Sequence, residues 1–222
     1  MPILYPILAP ECQEVTRLCN RFGLTRVDQS PQQPHLIWHQ PLRLVIDKQI
    51  IDMVKQHQKL RNHLLAKSLM QSPSLTIFDA TAGLLSDSQI CLALKHQVIA
   101  CEQHPFLAAM IESFKNHFSL QTLTPLFGDA HHLLPLYSVD VVIIDPMFDD
   151  PKTTPKSKKG MQSIKQLVDR KPLDALLPLA LKQASLKVMV KQHSTTEPWL
   201  PSKLNHQLKS KNHAFRWDIY IP

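Results

Sequence analysis

The feature that most constrains this chain is the segment VDVVIID at Val139–Asp145, which is apolar at nearly every position. A strand with one face in water alternates polar and apolar residues, whereas a parallel strand covered on both faces does not. Shorter strands of similar character precede and follow it, and helical segments of about ten residues separate them. This order predicts βαβ units, and therefore an α/β fold with a doubly wound, mostly parallel sheet.

The predicted elements begin at Leu75 and continue to the end of the sequence. The predicted strands are Leu75–Asp79, Gln97–Cys101, Thr124–Phe127, Val139–Asp145, Leu186–Val190 and Phe215–Ile221, and the predicted helices are Ser86–His96, Pro105–Phe118 and Leu173–Ala184.

The first 72 residues differ from the rest because prolines interrupt them and the strand–helix order is absent. Two short strands are predicted within residues 35–47, and apolar side chains at helical spacing predict a helix over Gln49–Met70. The sequence Gln71-Ser72-Pro73-Ser74 ends that helix. We therefore expect a small N-terminal α+β subdomain at residues 1–72 and the main domain at residues 73–222.

Glycine is scarce, with four glycines against eighteen prolines. This composition excludes collagen-like and Gly-rich low-complexity chains. The chain also lacks the GxGxxG and P-loop patterns, which disfavours a nicotinamide dehydrogenase or another site that holds a dinucleotide pyrophosphate. A ligand with an adenosine and an amino-acid tail would need fewer glycines.

The formal net charge is +7. A charge of this sign favours a polyanionic partner such as a nucleic acid, although the same charge could simply serve solubility.

The cysteines indicate a reducing environment. None of the four forms a CxxC pair, so we expect free, mostly buried thiols in the cytoplasm and no metal site. No apolar run reaches the ~18–20 residues of a membrane helix, and the N-terminus lacks the basic region of a signal peptide. We therefore expect no membrane association.

Carboxylates follow four consecutive predicted strands, and they are Asp79, Glu102, Asp129 and Asp145. Ligands of open parallel sheets bind beyond the carboxyl ends of the strands, so these side chains predict one nucleotide-like site. Gly83, in the first of these turns, would let the backbone approach a ligand closely.

Two of these carboxylates suit a nucleoside. Glu102 lies one strand after the glycine turn, where an acidic side chain accepts hydrogen bonds from ribose hydroxyls. Asp129 could accept from the exocyclic amine of a purine, or it could cap the helix that follows.

The turn Asp145-Pro146-Met147-Phe148 is the most specific signal. The Asp145 carboxylate and the Pro146 carbonyl can both accept hydrogen bonds from an exocyclic amine, and Phe148 can stack on the base. Together they would hold an amino nitrogen with its lone pair free to attack a methyl group. The alternative is a tight turn that ends a buried strand, with Phe148 in the core.

A lysine-rich segment follows at residues 151–171, and it includes Lys156, Lys158 and Lys159. Beside an amine-binding turn, these lysines predict a flap that binds RNA phosphates, although runs of charge are also common in solvated loops. Lys191 ends the strand VMVK and could contact phosphate or be a charge at the rim of the site.

Five motifs follow one another along the chain. They are DATAG at Asp79–Gly83, DPMF at Asp145–Phe148, KKGMQSIKQLV at Lys158–Val168, VMVK at Val188–Lys191 and FRWDIY at Phe215–Tyr220. In order and spacing the chain resembles the ribosomal small subunit methyltransferase J family from about Ile46 to the C-terminus. The resemblance implies a Rossmann-like class I methyltransferase that uses S-adenosylmethionine to methylate the N2 amine of a guanine in 16S rRNA, free or in the small ribosomal subunit. The residues it implies as cofactor contacts are Ser86, Asp87, Glu102, Gln103, Asp129, Ala130 and Asp145.

The chain departs from this family after the first strand. The family usually has DATAGLGRD, and this chain has DATAGLLSD, so Leu85 replaces a glycine and Ser86 replaces an arginine. If the backbone at Leu85 needs a positive φ, a strain of about 1–3 kcal/mol is expected there.

Two further hypotheses stay open. An RNA-binding protein could keep the fold but have lost cofactor affinity, which the residues at 85 and 86 motivate. An amino-methyltransferase could instead act on adenine or cytosine in DNA, because an Asp-Pro-aromatic turn serves those bases too.

Overall fold

The computed structural model describes residues 60, 63–146, 174–210 and 214–222 of the chain. Within these ranges the strands are β1 (Thr76–Asp79), β2 (Gln97–Glu102), β3 (Leu123–Phe127), β4 (Val139–Ile144), β5 (Ala184–His193), β6 (Leu204–Lys209) and β7 (Phe215–Tyr220). The helices are α1 (Leu64–Leu69), α2 (Ser86–Ala93), α3 (Pro105–His117), α4 (Ala130–Leu133) and α5 (Leu176–Gln183), with 3₁₀ turns at Leu134–Leu136 and Pro201–Lys203.

The described strands form one sheet of seven, in the order β3-β2-β1-β4-β5-β7-β6. The pairs among β1 to β5 are parallel, and β7 runs antiparallel between β5 and β6. The predicted doubly wound, mostly parallel sheet is thus confirmed. Strand order reverses between β1 and β4, and the crevice at such a reversal is where ligands of these folds bind.

Strand β4 shows why its sequence is almost entirely apolar. Val141 and Ile143 belong to the core on one face of the sheet, whereas Val142 and Ile144 belong to the core on the other face. Asp140 is the polar exception, and it accepts hydrogen bonds from the backbone of Thr76 and from the Ser185 hydroxyl, at 2.8 and 2.9 Å. The buried run therefore needs helices on both sides of the sheet.

Helix α1 packs on one face of the sheet, in the part that includes β5 and β7. Its Leu65, Ala66 and Leu69 are fully buried in the same core as Met189 of β5 and Trp217 of β7. The helix ends before residue 71, as predicted. Most of residues 1–72 lies outside the described ranges, so the boundary between the two predicted domains stays a prediction.

The bounds of most elements differ from the predicted ones by one residue, and those of β5, α2 and α5 differ by more; α5 begins at Leu176, where Leu173 was predicted. Strand β5 is ten residues long, where only Leu186–Val190 was predicted, because polar residues flank its buried centre. Helix α2 ends at Ala93, earlier than the predicted His96. Strand β6 was not predicted, since an edge strand with three exposed and three half-buried side chains carries little apolar signal.

Two further properties concern the described residues alone. Cys91 and Cys101 are buried free thiols, as expected. None of the described helices has both the length and the apolar character that a membrane crossing requires.

Candidate active site

The loop after β1 is attached to the end of β2 through a carboxylate. Glu102 accepts hydrogen bonds from the backbone N–H of Gly83 at 2.9 Å and from that of His104 at 2.7 Å. Burial raises the pKa of Glu102, and these hydrogen bonds work against the rise. Gly83 has φ of +50°, and of the atoms in the described ranges a Cβ built there would meet the Thr81 carbonyl oxygen alone, at 3.7 Å. The space beside this glycine is therefore open for a ligand.

Asp79, at the end of β1, is the deepest carboxylate of the site. Ser88 donates to Asp79 Oδ2 at 2.6 Å, and the backbone N–H of Thr81 donates to Oδ1 at 3.2 Å. Its pKa is raised to about 7, chiefly because the carboxyl is buried, and the hydrogen bond from Ser88 offsets this only in part. The Asp79 carboxylate thus helps to hold the loop after β1 in place.

Leu85 stands where the family usually has glycine, and it adopts the left-handed conformation that glycine favours. Its φ is 61° and its ψ is 20°, and it immediately precedes α2. The side chain is buried in the core. Leu85 therefore has the positive φ for which backbone strain was expected from the sequence. Burial of its side chain offsets that strain. Ser86, the next residue, is exposed.

The residues after β2 and β3 flank the same edge. Gln103 is half-buried beside Glu102, and Ala130 is buried at the start of α4. Asp129 caps α4, because its carboxylate accepts from the backbone N–H of His131 at 3.0 Å and contacts the His131 ring at 2.9 Å. The capping alternative for Asp129 is thus confirmed, and its contact with a purine stays a prediction.

The turn after β4 is joined to the loop after β1. The backbone N–H of Asp145 donates to Thr81 Oγ1 at 2.7 Å. Sequence reasoning missed Thr81, although a hydroxyl residue between Asp79 and Gly83 was a visible signal. The contact fixes the first residue of the turn that follows β4 against the glycine loop. Pro146, which follows, is half-buried.

Lys191 joins the ends of three elements. Its ammonium donates to Asp145 Oδ2 at 2.8 Å and to Asp87 Oδ2 at 3.2 Å. Burial would lower the pKa of Lys191, but the charges of the two carboxylates outweigh it and raise the pKa above its usual value. Burial is also the main cause of a raised pKa at Asp145. The charge of Lys191 lowers this pKa, and the charge of Asp87 raises it further. The structure thus gives Lys191 partners other than the phosphate or open rim that the sequence suggested.

Part of the predicted site lies outside the described residues. Phe148 and the lysines of the basic segment, Lys156, Lys158 and Lys159, fall in residues 147–173. Their roles stay predictions. The remaining predicted residues lie at the carboxyl ends of β1 to β5. Within the described ranges, no three His, Cys, Asp or Glu side chains are grouped as metal ligands would be.

Comparison with known proteins agrees with this fold. Residues 40–222 match the family described as "Putative SAM-dependent methyltransferase". The ribosomal RNA small subunit methyltransferase J of Buchnera aphidicola is 31% identical over 75% of this chain and 72% of its own length. The protein of that name from Neisseria meningitidis is 29% identical, over 95% of this chain and 93% of its own length.

A solved structure shares the fold over nearly the whole chain. The SAM-dependent methyltransferase of Neisseria gonorrhoeae superposes with a TM-score of 0.61 at 22% identity, covering 95% of this chain and 92% of that one. At this identity the likeness concerns the fold alone, whereas the family match rests on sequence. The chain belongs to the ribosomal RNA small subunit methyltransferase J family of SAM-dependent, Rossmann-like class I methyltransferases.

Proposed function

We propose that this chain transfers a methyl group from S-adenosylmethionine to the N2 amine of a guanine in the RNA of the small ribosomal subunit. The observation that carries the proposal is the position of Asp145. It follows β4 at the reversal of strand order, and Thr81 and Lys191 hold its backbone and its carboxylate. An acceptor in this position can orient an amine toward the cofactor side of the sheet.

The residues around the glycine loop suit S-adenosylmethionine. When bound, this cofactor supplies a methyl group on a positively charged sulfonium. Asp87 and Asp145 lie at this edge of an otherwise basic protein, and in their ionised form they favour a cationic ligand. The Glu102 carboxylate, which accepts backbone N–H groups on both oxygens, can also accept a hydrogen bond from a ribose hydroxyl. The open space beside Gly83 lets a ligand approach the backbone.

The chain's own residues act by orientation. The carboxylate of Asp145 and the carbonyl of Pro146 accept the two hydrogens of the exocyclic amine, so that the nitrogen lone pair is directed away from them. Held in this way, the nitrogen would face the methyl group that bound S-adenosylmethionine would supply, and it would take up that group. The nitrogen then releases a proton to solvent. Catalysis here is proximity and alignment.

The RNA substrate is supported by charge and by relatives. The net charge of +7 favours a polyanion. Relatives with about 30% identity are named as methyltransferases of small-subunit ribosomal RNA. Lys156, Lys158 and Lys159 are the proposed phosphate contacts, and Phe148 is the proposed stacking residue. Since small ribosomal subunits are assembled in the cytoplasm, we place the enzyme there.

The two alternative functions make different predictions. A chain that had lost its cofactor site should not retain the Gly83–Glu102 contact, yet this contact is intact beside the left-handed Leu85. Adenine and cytosine also carry exocyclic amines, so the base is decided by product analysis.

The decisive experiment combines cofactor binding with product identification. Calorimetry should show S-adenosylmethionine binding by the purified chain. Small subunits from a strain without this enzyme should gain N2-methylguanosine in vitro, detected by mass spectrometry of nucleosides. Asp145→Ala should abolish the gain, and Asp174→Ala, at an exposed carboxylate, should not. Absence of cofactor binding, or methylation of adenine or cytosine instead, would refute the proposal.

A further inference from the structure

The surroundings of Lys191 are unusual for a residue at the rim of an RNA-binding site. One ammonium faces two carboxylates, those of Asp87 on α2 and Asp145 after β4. The Lys191 side chain retains 21% exposure, against 7% for Asp87 and 26% for Asp145. With both carboxylates ionised, the cluster carries one positive and two negative charges, so a phosphate brought to it meets net negative charge.

Aromatic rings from β7 form the other wall of this cluster. The Lys191 ammonium lies 5.2 Å from the ring centre of Trp217 and 5.4 Å from that of Phe215. Trp217 is fully buried and is the cross-strand neighbour of Lys191 in the antiparallel pair of β5 and β7. Rings at this distance attract a cation and restrict the positions that it can take. Lys191 is therefore held from two sides.

We propose that Lys191 is a positioning residue, whose ammonium holds Asp145 by Oδ2 and leaves Oδ1 to accept the target amine. The inference rests on the proposed function, because it assigns the amine to Asp145. Among the described residues, Lys191 donates to Asp145 Oδ2, and the Asp87 carboxyl is a second side-chain neighbour of the Asp145 carboxyl. A carboxylate anchored through one oxygen keeps its plane fixed while the other oxygen remains available. Lys191 thus acts on the substrate through Asp145 and not through RNA phosphate.

The positioning role has a consequence for the pH dependence of the reaction. Asp145 accepts a hydrogen bond from the amine only when its carboxylate is ionised, so activity should rise with pH as this group loses its proton. The nearby charge of Lys191 favours ionisation, and that of Asp87 opposes it. His63, at the start of α1, also lies within electrostatic reach of Asp87 and Lys191. Removing the ammonium should move the midpoint of the activity profile to higher pH.

The test compares Lys191→Met with Lys187→Met. Lys187 is on the same strand and, four residues earlier, on the same face, but its ammonium donates to the backbone carbonyl and hydroxyl of Ser68, at 2.7 and 3.0 Å. Lys191→Met should lower kcat about 10- to 100-fold and raise the pH midpoint, with the affinity for small subunits unchanged. Lys187→Met should leave the midpoint in place. Lys191→Arg, which keeps the charge, should shift it less than Lys191→Met.

A phosphate contact gives the opposite pattern. Lys191→Met would then weaken binding of the small subunit and reduce its salt dependence by about one phosphate, with the pH midpoint unmoved. That result would overturn the proposal. If Lys191→Met does not fold, Lys191→Gln is also neutral and carries the same expectations.

A binding-independent measurement separates this inference from the proposed function. The melting temperatures of Lys191→Met, Asp145→Asn and the double variant report on the pair without any substrate. Coupled residues should give losses that are not additive, and additive losses would refute the positioning role. If the wild-type chain fails to methylate small subunits, the proposed function fails, and these melting temperatures still decide whether the pair exists.

Discussion

Thr81 accepts the backbone N–H of Asp145 at 2.7 Å, across 64 positions of sequence. The contact connects the loop that follows β1 to the turn that follows β4, which are the two sides of the crevice at the reversal of strand order. A movement of either segment therefore changes the distance between the proposed cofactor and amine positions.

Replacing Thr81 by valine keeps the shape but removes the acceptor. The N–H of Asp145 then has no partner, which should lower the free energy of unfolding by about 1–3 kcal/mol. The displaced turn should also lower kcat about 10- to 100-fold. Thr81→Ser keeps the hydroxyl and should retain most activity and stability. Steady-state kinetics and urea unfolding check both variants, and equal behaviour of valine and serine would contradict the prediction.

Glu102 should be required for cofactor affinity. Glu102→Gln replaces one acceptor oxygen by an amide that faces a backbone N–H, so it loses a loop contact as well as a partner for ribose. We expect S-adenosylmethionine to bind about 10- to 100-fold more weakly in calorimetry, since a lost charged hydrogen bond costs about 1.5–3 kcal/mol. Glu197→Gln, at an exposed position, is the control and should bind normally.

Burial of the Leu85 side chain stabilises the fold, whereas its left-handed backbone conformation destabilises it. Leu85→Ala should cost about 2–5 kcal/mol of unfolding free energy, because the buried side chain is removed while the left-handed backbone remains. Leu85→Gly removes the same side chain but relieves about 1–2 kcal/mol of strain. Urea unfolding should therefore rank the wild type first, glycine second and alanine last. Alanine more stable than glycine would show that the left-handed conformation is absent in solution.

The fold could be predicted from the sequence because buried parallel strands such as β4 are marked by their own residues. The carboxylates of the site could be predicted as well, since topology alone brings Asp79, Glu102 and Asp145 to one edge. The contacts of Lys191 with Asp87 and Asp145 could not be predicted, because they depend on how β4, β5 and α2 pack in three dimensions. Strand β6 could not be predicted for a different reason, because its three exposed and three half-buried side chains give little apolar pattern.

The raised pKa of Asp79 predicts a pH-dependent effect on stability. The folded state holds the proton of Asp79 up to about pH 7, whereas the unfolded chain releases it at its ordinary value of 3.8. The stabilisation is therefore complete below the unfolded value and is lost as pH rises toward 7, by up to about 1.4 kcal/mol per pH unit. Asp79→Asn removes this dependence.

Urea unfolding at several pH values between 4 and 8 checks the prediction. The free energy of Asp79→Asn relative to wild type should become more favourable as pH rises. Asp174→Asn, at an exposed carboxylate, should show no such trend. A constant difference between Asp79→Asn and wild type would mean that Asp79 is ionised in the folded state at all these pH values.

Arg216 ties the segment after β5 to the sheet through an almost fully buried guanidinium. It donates to both carboxylate oxygens of Asp218, at 2.7 and 3.1 Å, and to the carbonyls of His193 and Ser194, at 2.8 and 2.9 Å. Within the described part of the chain, Arg216→Met leaves the buried Asp218 carboxylate with the hydrogen bond from Gln207. We expect a loss of about 3–5 kcal/mol in the free energy of unfolding, which is the usual cost of removing one member of a buried pair.

The double variant Arg216→Met/Asp218→Leu tests whether that loss comes from the stranded carboxylate. Because the second change removes the uncompensated charge, it should restore a large part of the stability, though not all, since the carbonyls of His193 and Ser194 and the amide of Gln207 still lack their partner. Urea unfolding measures this recovery, and limited proteolysis after residue 193 should be faster in both variants than in wild type. A double variant less stable than Arg216→Met would place the cost in the lost carbonyl contacts and not in Asp218.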